Sequence, residues 1–348
     1  MKYSFFDVYP GSAHPEILKY LLEHNLDHFV DPEEDTYAEL GAERIKKAFG
    51  IPEAYIHYLP NGTISNVTGL SSMLKPFEGV ICPTTGHINN YEAGAFEATG
   101  HKVITVDAPD GKLTVALIDK ALRDYKGYEM VMPRVVYLTQ VTEEGTVYSK
   151  EELSAIISYT KSKGLYTFLD GARLAMAIAS KSADITMPEF GQLGLDMFYI
   201  GGTKNGGLYG EALVIKNDKF KPDFDSYMKR QGAHMGKQRP MSLQFARFFD
   251  EDNLWLKLAE HANAMGQRLR QGLADIGAEL VQSSDANHAF IIMKNEDVVD
   301  LEKDYDLGRW QIIDEQNTKI RLVCSWATTD EDVDGFVEAV KNLHQRPS

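Results

Sequence analysis

Short apolar segments alternate with amphipathic segments along the first two thirds of the chain, and this alternation restricts the fold more than any other feature. The apolar segments have the length of strands, and the segments between them show helical periodicity. Strands that alternate with helices form a mostly parallel sheet covered by helices on both faces. The sequence therefore predicts an α/β domain with three layers.

The expected strands of this domain are 55–59, 79–82, 102–106, 135–139, 166–169 and 197–200, and the expected helices are 15–24, 37–49, 65–74, 115–125 and 151–163, with Gly50 as a C-cap. After about Pro240 the pattern changes. A long helix over 243–272 is followed by short strands at 279–282, 289–293 and 319–324 and a last helix at 331–344. We predict a large α/β domain over residues 1–240, including an N-terminal arm, and a smaller α+β domain over residues 241–348.

Composition restricts the function classes. The 348 residues carry a formal net charge of -15, which leaves no excess of cations to replace the counterions of a nucleic acid, and the acidity itself is read as a solubility feature. No apolar run approaches the roughly 20 residues that cross a bilayer, and the N-terminus lacks the pattern of a signal peptide. Cys82 and Cys324 are too few for a disulfide framework. We expect a reduced, cytoplasmic protein.

Two polar residues follow predicted strands at the sheet edge where ligands of α/β proteins bind. Asp170 ends the apolar segment F-L-D-G-A-R at 168–173, and the alternative role for it is the N-cap of a plain turn. Lys204 lies in G-G-T-K-N-G-G at 201–207. Small neighbours admit a planar ligand, and a confined lysine loses its proton readily, as a Schiff-base lysine must. The alternative is a solvated loop lysine.

Three further segments suit the same cleft. The turn N-G-T at 61–63 offers backbone N–H groups and a helix N-terminus to a phosphate, although ordinary capping explains it equally well. His87 follows a strand and could stack on a ring or act as a base, whereas most histidines are ordinary surface residues. Arg321 lies within an apolar strand and could bind a carboxylate bidentately or form an internal salt bridge.

Taken together, these segments resemble the low-specificity L-threonine aldolases, in the β-eliminating-lyase group of fold-type-I enzymes that use pyridoxal 5'-phosphate (PLP). The resemblance covers nearly the whole chain. It rests on H-P-E-I-L at 14–18, N-G-T at 61–63, His87 with E-A-G-A at 92–95, E-G-T-V-Y-S at 144–149, D-G-A-R at 170–173, G-G-T-K at 201–204, G-E-A at 210–212, H-A-N at 261–263 and R-L-V at 321–323.

The resemblance implies a role for each matching residue. Lys204 would hold PLP as a Schiff base, Asp170 would keep the pyridine nitrogen protonated, and Arg173 would lie near the ring hydroxyl. Gly62 and Thr63 would bind the phosphate. His87 would stack on the ring and is the leading candidate for handling the β-hydroxyl proton. Arg321 would bind the substrate carboxylate. A homodimer or homotetramer with shared active sites is expected, in which Arg230, Lys237 or Arg239 would reach a partner's phosphate. No metal ligands are assigned.

One position departs from the family pattern. Near the N-terminus the family has a small polar residue followed by Asp, beside the substrate carboxylate, whereas this chain has Asp7 followed by Val8. A carboxylate at Asp7 would repel a substrate carboxylate unless it pairs with a cation, so a substrate other than threonine is an open alternative.

The expected reaction is retro-aldol cleavage of a β-hydroxy-α-amino acid to glycine and an aldehyde. The alternatives are β-elimination or transamination on the same scaffold, and a PLP-fold protein that binds without catalysis. A nicotinamide enzyme is disfavoured because the glycine-rich segments lack the G-x-G-x-x-G order after a first strand.

Overall fold

A seven-stranded sheet lies at the centre of the computed structural model, which describes residues 3–6, 9–27, 35–281 and 284–344. Its strands are β2 (Tyr55–Leu59), β3 (Glu78–Pro83), β4 (Lys102–Val106), β5 (Met132–Thr139), β6 (Tyr166–Asp170), β7 (Met197–Gly201) and β8 (Glu211–Ile215). Across the sheet their order is β2-β8-β7-β6-β5-β3-β4.

Strands β3 to β7 are mutually parallel, whereas β8 runs antiparallel to both β7 and β2. The expected mostly parallel sheet is therefore confirmed, but β8 was not anticipated. Because parallel strands end at one edge, the segments that follow β5, β6 and β7 meet there. In particular, Thr139 at the end of β5 pairs with Asp170 at the end of β6.

Helices cover this sheet. They are α1 (Pro15–Glu23), α2 (Thr36–Phe49), α3 (Gly62–Ser72), α4 (His87–Asn90), α5 (Val115–Asp124), α6 (Lys150–Ser162), α7 (Leu174–Ile178), α8 (Met187–Gln192), α9 (Phe224–Arg230), α10 (Arg239–Phe248) and α11 (Leu254–Asp275). Gly50 ends α2 with a φ of 63°, so the predicted C-cap is confirmed.

The sheet is buried on both faces because its side chains alternate between two cores. In β6, Leu169 belongs to the core that includes residues of α2, α6 and α11, whereas Phe168 belongs to the core that includes residues of α3 and α9. Each side chain is fully buried. This arrangement is the three-layer α/β architecture that the alternation of segments predicted.

A second, smaller sheet follows α11. Its strands are β11 (Gly308–Ile312), β12 (Asn317–Val323) and β9 (His288–Lys294), all antiparallel, and α12 (Asn295–Leu301) and α13 (Asp330–His344) pack beside it. The N-terminal segment β1 (Tyr3–Ser4) pairs with β10 (Tyr305–Asp306), and Phe5 lies in the same core. The division of the chain near Pro240 stays a prediction.

Two local expectations were wrong. The helix expected over 243–272 is interrupted between α10 and α11, where Asn253 adopts a φ of 46° and its side chain accepts a hydrogen bond from the backbone of Leu256. An asparagine tolerates the left-handed conformation and caps the next helix, so the chain restarts there. The strand expected at 279–282 is reduced to an isolated bridge between Leu280 and Ile291, with Gln282 outside the described residues.

None of the helices in the described part of the chain combines the length and the apolar character that a bilayer span needs.

Candidate active site

A cavity opens at the carboxyl edge of the parallel strands, and most of the expected site residues meet in it. It holds about 550 Å³ of empty space. The residues from the sequence analysis that line it are Gly62, Thr63, His87, Asp170, Arg173 and Lys204. Arg321 lies outside this lining, in β12, and Asp7 lies outside the described residues.

Close contact between the ends of β6 and β7 brings the aspartate and the lysine to the same cavity. The backbone N–H of Gly201 donates to the carbonyl oxygen of Gly171 at 3.0 Å. A Cβ atom on Gly171 would lie 1.8 Å from the carbonyl oxygen of Tyr199, so no side chain fits at that position. Asp170 therefore ends β6 beside the turn Thr203–Asn205 that follows β7 and carries Lys204.

Asp170 is a buried carboxylate held by four donors. Its Oδ1 accepts hydrogen bonds from Tyr199 Oη at 2.5 Å and from the backbone N–H of Ala172 at 3.0 Å. Its Oδ2 accepts from Tyr137 Oη at 2.7 Å and from Asn66 Nδ2 at 3.0 Å. Burial alone would raise its pKa, but the charge of His87 and these donors together lower the pKa of Asp170 below its usual value. The group is therefore anionic at neutral pH.

Lys204 carries an amine suited to nucleophilic attack. Its Nζ makes no hydrogen bond or ion pair with any residue in the described ranges. Burial and the neighbouring charge of Arg173 lower its pKa to about 8, against the opposing effect of Asp170. An amine with such a pKa is partly unprotonated near neutral pH, which is the form that attacks a carbonyl carbon.

His87 is oriented by a buried carboxylate. Its Nδ1 lies 2.8 Å from Glu92 Oε1, and the same oxygen accepts a hydrogen bond from Asn66 Nδ2 at 2.7 Å. Asn66 thus joins the His87–Glu92 pair to Asp170. Burial raises the pKa of Glu92, while the hydrogen bonds from His87 and Asn66 oppose that shift. These contacts fix the orientation of the imidazole ring at the cavity wall.

The N-terminus of α3 forms another part of the wall. Asn61 caps the helix by accepting a hydrogen bond from the backbone of Ile64 at 2.9 Å. The backbone N–H groups of Gly62 and Thr63 donate to no described residue, and they stand at the positive end of the helix dipole. An anionic ligand such as a phosphate group fits this position.

Buried polar atoms around the cavity lack partners among the described residues. They include Arg173 Nε, Thr139 Oγ1 and Glu143 Oε2, all on residues that line the cavity. Because leaving such atoms unpaired costs about 1–3 kcal/mol each, a polar ligand with both donors and acceptors fits the space. PLP, with its aldehyde, hydroxyl, pyridine nitrogen and phosphate, has this character.

Arg321 lies close to the site without lining the cavity. Its guanidinium carbon lies 4.1 Å from the centroid of the Trp310 ring, and its Nε has no partner among the described residues. Burial and the charge of Arg173 lower its pKa to about 10. An arginine that is buried and incompletely paired suits an anionic ligand.

The three cations considered for a partner's phosphate lie outside the lining of this cavity. Arg230 is the last residue of α9, and Arg239 is the first residue of α10. The Arg239 guanidinium carbon lies 5.6 Å from the centroid of the Tyr37 ring. Lys237 precedes α10 in the chain. Their role towards a second chain stays a prediction.

Several residues of the site were not assigned from the sequence. Asn66, Tyr137 and Tyr199 hold Asp170, whereas Glu143 and Glu211 line the cavity as carboxylates. The tyrosines lie inside apolar strands, where the sequence pattern indicates only core. For Glu143 a signal existed, because it lies just after the strand that was expected to end at Thr139, beside Asp170.

The fold defines a class of enzymes. The mostly parallel central sheet, with a separate small antiparallel sheet, is that of fold-type-I PLP-dependent enzymes. The solved structure of the Pyrococcus horikoshii aromatic aminotransferase superposes with a TM-score of 0.70 over 98% of this chain and 95% of that chain, at 18% identity, which shows the common fold alone.

Sequence comparison narrows the class to a family. The family model described as β-eliminating lyase matches residues 12–296. A low-specificity L-threonine aldolase from a Pseudomonas species is 33% identical over 333 residues, covering 94% of this chain and 93% of the relative. The solved structure of the Leishmania major threonine aldolase is 40% identical, with a TM-score of 0.95 over 98% of this chain and 99% of that chain. The chain therefore belongs to the β-eliminating lyase family, among relatives that are low-specificity L-threonine aldolases.

Proposed function

We propose that this protein is a PLP-dependent aldehyde-lyase, which cleaves a β-hydroxy-α-amino acid such as L-threonine or L-allo-threonine to glycine and an aldehyde. The observation that carries the proposal is the meeting of an unpaired Lys204, with its pKa lowered to about 8, and the anionic Asp170 in one cavity. The likeness over nearly the full chain to threonine aldolases gives the reaction type.

Five residues would hold the cofactor. Lys204 would bind its aldehyde carbon as a Schiff base, and Asp170 would keep the pyridine nitrogen protonated. Gly62 and Thr63 would donate backbone hydrogen bonds to the phosphate, and Arg173 would direct its unpaired Nε towards the ring hydroxyl. When bound, PLP supplies an electron sink for the pair of electrons released from the broken Cα–Cβ bond.

The substrate would be bound by groups on both sides of the cavity. The imidazole of His87, held by Glu92, would lie against the cofactor ring. Arg321 would bind the α-carboxylate and so select amino acids. These contacts orient the bond to be broken. The β-hydroxyl proton also needs an acceptor, for which the sequence suggested His87 or a water molecule that His87 orients.

We also propose that the protein works as a homodimer or homotetramer, in which Arg230, Lys237 or Arg239 contacts the phosphate bound by a partner chain. Sedimentation velocity of the PLP-loaded protein tests the assembly, and a monomer would contradict it. A cytoplasmic location is proposed because Cys82 and Cys324 are both free and buried, as is usual for thiols kept reduced.

The decisive experiment measures aldehyde release. The PLP-loaded protein is mixed with L-threonine or L-allo-threonine, and the aldehyde is reduced by an alcohol dehydrogenase while NADH absorbance is followed. Lys204→Ala should release none. Lys216→Ala is the matched control, because burial also lowers the pKa of Lys216 but its Nζ donates to the carbonyl of Gly191, away from the cavity. It should retain aldehyde release.

Products other than an aldehyde would indicate a different PLP-dependent reaction. Pyruvate with ammonia would indicate β-elimination, and a keto acid with transfer of the amino group would indicate transamination. If neither isomer yields aldehyde while glycine still changes the absorbance of bound PLP, the cofactor site stands and the substrate assignment fails. Asp7 would then be the first position to vary.

A further inference from the structure

Glu143 lines the cavity but has no role in the proposed binding of the cofactor or the substrate. It lies in the segment after β5, beside the end of β6, and it lines the cavity together with His87, Asp170 and Lys204. Only 3% of its surface is exposed. A carboxylate so buried needs partners, because an unpaired charge in a protein interior is strongly disfavoured.

The carboxylate of Glu143 is incompletely paired. Its Oε2 is buried and accepts no hydrogen bond from any residue in the described ranges. The other carboxylates of the cavity differ, because Asp170 has four donors and Glu211 Oε2 accepts from the backbone of Gly202 at 2.7 Å. The adjacent Glu144 is paired on both oxygens, with Trp310 and with Lys319. Glu143 is therefore poised to accept a hydrogen bond from a ligand in the cavity.

The charges around Glu143 suit a group that exchanges a proton near neutral pH. Burial, followed by the charge of Asp170, raises its pKa to about 7, while the charges of His87 and Arg173 oppose the shift. The other titratable groups that interact with it are Cys82, Tyr91, Tyr137, Tyr148, Lys204 and Arg321. General bases work best when their pKa lies near the working pH.

His87 is less suited to the same task. Its Nδ1 is engaged with the buried Glu92, which fixes the ring for contact along its face. In the cavity, His87 would therefore orient the cofactor ring, whereas Glu143 has an oxygen that can accept a proton.

We propose that Glu143 is the catalytic residue that accepts the β-hydroxyl proton of the substrate, and that His87 is not required for this transfer. The inference rests on the proposed retro-aldol function. The O–H bond breaks and its proton goes to Glu143 Oε2. As the Cα–Cβ bond breaks, the oxygen and Cβ become the aldehyde carbonyl. PLP, when bound, would accept the released electron pair. Cα then takes up a proton from water to give glycine, and Glu143 returns its proton to water, which restores the carboxylate.

The test compares threonine with glycine, which lacks the β-hydroxyl. Glu143→Gln should lower kcat for aldehyde release from L-threonine by about 10²–10⁴-fold, the usual contribution of a general base. The dissociation constant of glycine, measured from the absorbance of bound PLP, should change by less than about threefold. A loss of glycine binding of the same size would show a structural role and overturn the proposal.

The pH profile and two further variants complete the test. In the wild type, kcat/KM should rise with pH through about 7 as Glu143 ionises, and this limb should disappear in Glu143→Gln. Glu144→Gln, which removes the adjacent buried carboxylate, should keep the limb. His87→Phe retains an aromatic ring and should lose less activity than Glu143→Gln. A normal rate in Glu143→Gln, or an acidic limb that only His87→Phe removes, would overturn the proposal.

Failure of the proposed function gives a different result. If the wild-type protein, with PLP bound at Lys204, released no aldehyde from any β-hydroxy-α-amino acid, the retro-aldol function and the role of Glu143 would fall together. Aldehyde release by the wild type with an unchanged Glu143→Gln rate would refute only the role of Glu143.

Discussion

Removal of the Tyr199 hydroxyl should destabilise the protein in a pH-dependent way. This hydroxyl donates to Asp170 Oδ1 at 2.5 Å, and both side chains are buried. A hydrogen bond to a charged group contributes about 1.5–3 kcal/mol. Tyr199→Phe should therefore raise the pKa of Asp170 towards its ordinary value, because the carboxylate loses one of its donors.

The sign of the pH dependence follows from the lowered pKa of Asp170 in the folded protein. A carboxyl group with a lowered pKa stabilises the fold above its unfolded pKa of about 3.9, and this stabilisation is lost as the pH falls through the folded value. Tyr199→Phe should therefore lower the free energy of unfolding by about 1.5–3 kcal/mol at pH 7–8. The loss should shrink as the pH falls towards the pKa of Asp170 in the variant.

The assay is thermal unfolding of the cofactor-free protein between pH 4.5 and 8, followed by circular dichroism. At pH 7–8 the expected loss corresponds to a fall in apparent Tm of roughly 2–4 °C, because the entropy of unfolding scales with the 348 residues of the chain. Tyr58→Phe is the matched control, because its buried hydroxyl donates to the neutral carbonyl of Ala38 at 3.1 Å. It should cost about 0.5–1.5 kcal/mol at every pH. An unchanged Tm for Tyr199→Phe at pH 8, or a loss that does not vary with pH, would refute the reasoning.

Three further predictions test the geometry of the site. The rate at which PLP attaches to the cofactor-free protein should rise with pH and level off above about 8, because only the unprotonated Lys204 attacks. Stopped-flow absorbance measures this rate. A rate that still rises between pH 9 and 10 would contradict the lowered pKa of Lys204. Gly171→Ala should give insoluble or strongly destabilised protein, because its Cβ would lie 1.8 Å from the Tyr199 carbonyl oxygen, whereas Gly236→Ala, with open space around the added atom, should have a nearly unchanged Tm. Arg321→Lys should raise KM for the amino acid by about 10–100-fold through loss of a bidentate hydrogen bond, and a KM within twofold of the wild type would place the carboxylate elsewhere.

Much of the fold was predictable from local pattern. Strand and helix periodicity gave the three-layer α/β domain, and several strand bounds matched, including Tyr55–Leu59 and Lys102–Val106. The position of Gly50 at the end of α2 also followed from its neighbours, because only a glycine adopts the left-handed conformation there at little cost. The break before α11 was missed because two adjacent helices show the same periodicity as one longer helix.

The positions of Asp170 and Lys204 were also predictable, because Asp170 ends β6 and Lys204 lies in the turn after β7, each within a short and unusual segment. Their roles towards PLP stay predictions. That Asp170 and Lys204 lie at the same edge of the sheet followed from the rule that parallel strands end at one edge. The residues that surround Asp170 and Lys204 could not be predicted from the sequence in the same way. Asn66, in the middle of α3, is indistinguishable in the sequence from an ordinary helical residue, yet it donates to both Glu92 and Asp170.

The sequence by itself determined the layers of the fold and placed Asp170 and Lys204 at the carboxyl edge of the sheet, because periodicity and strand-end motifs are local properties. Only the tertiary structure decided that β5, β6 and β7 are neighbours, that Tyr137 and Tyr199 both direct their hydroxyls to Asp170, and that Glu143 opens into the same cavity. Those facts depend on strand order and side-chain direction. Both are set by packing between residues far apart in the chain, and no local pattern encodes them.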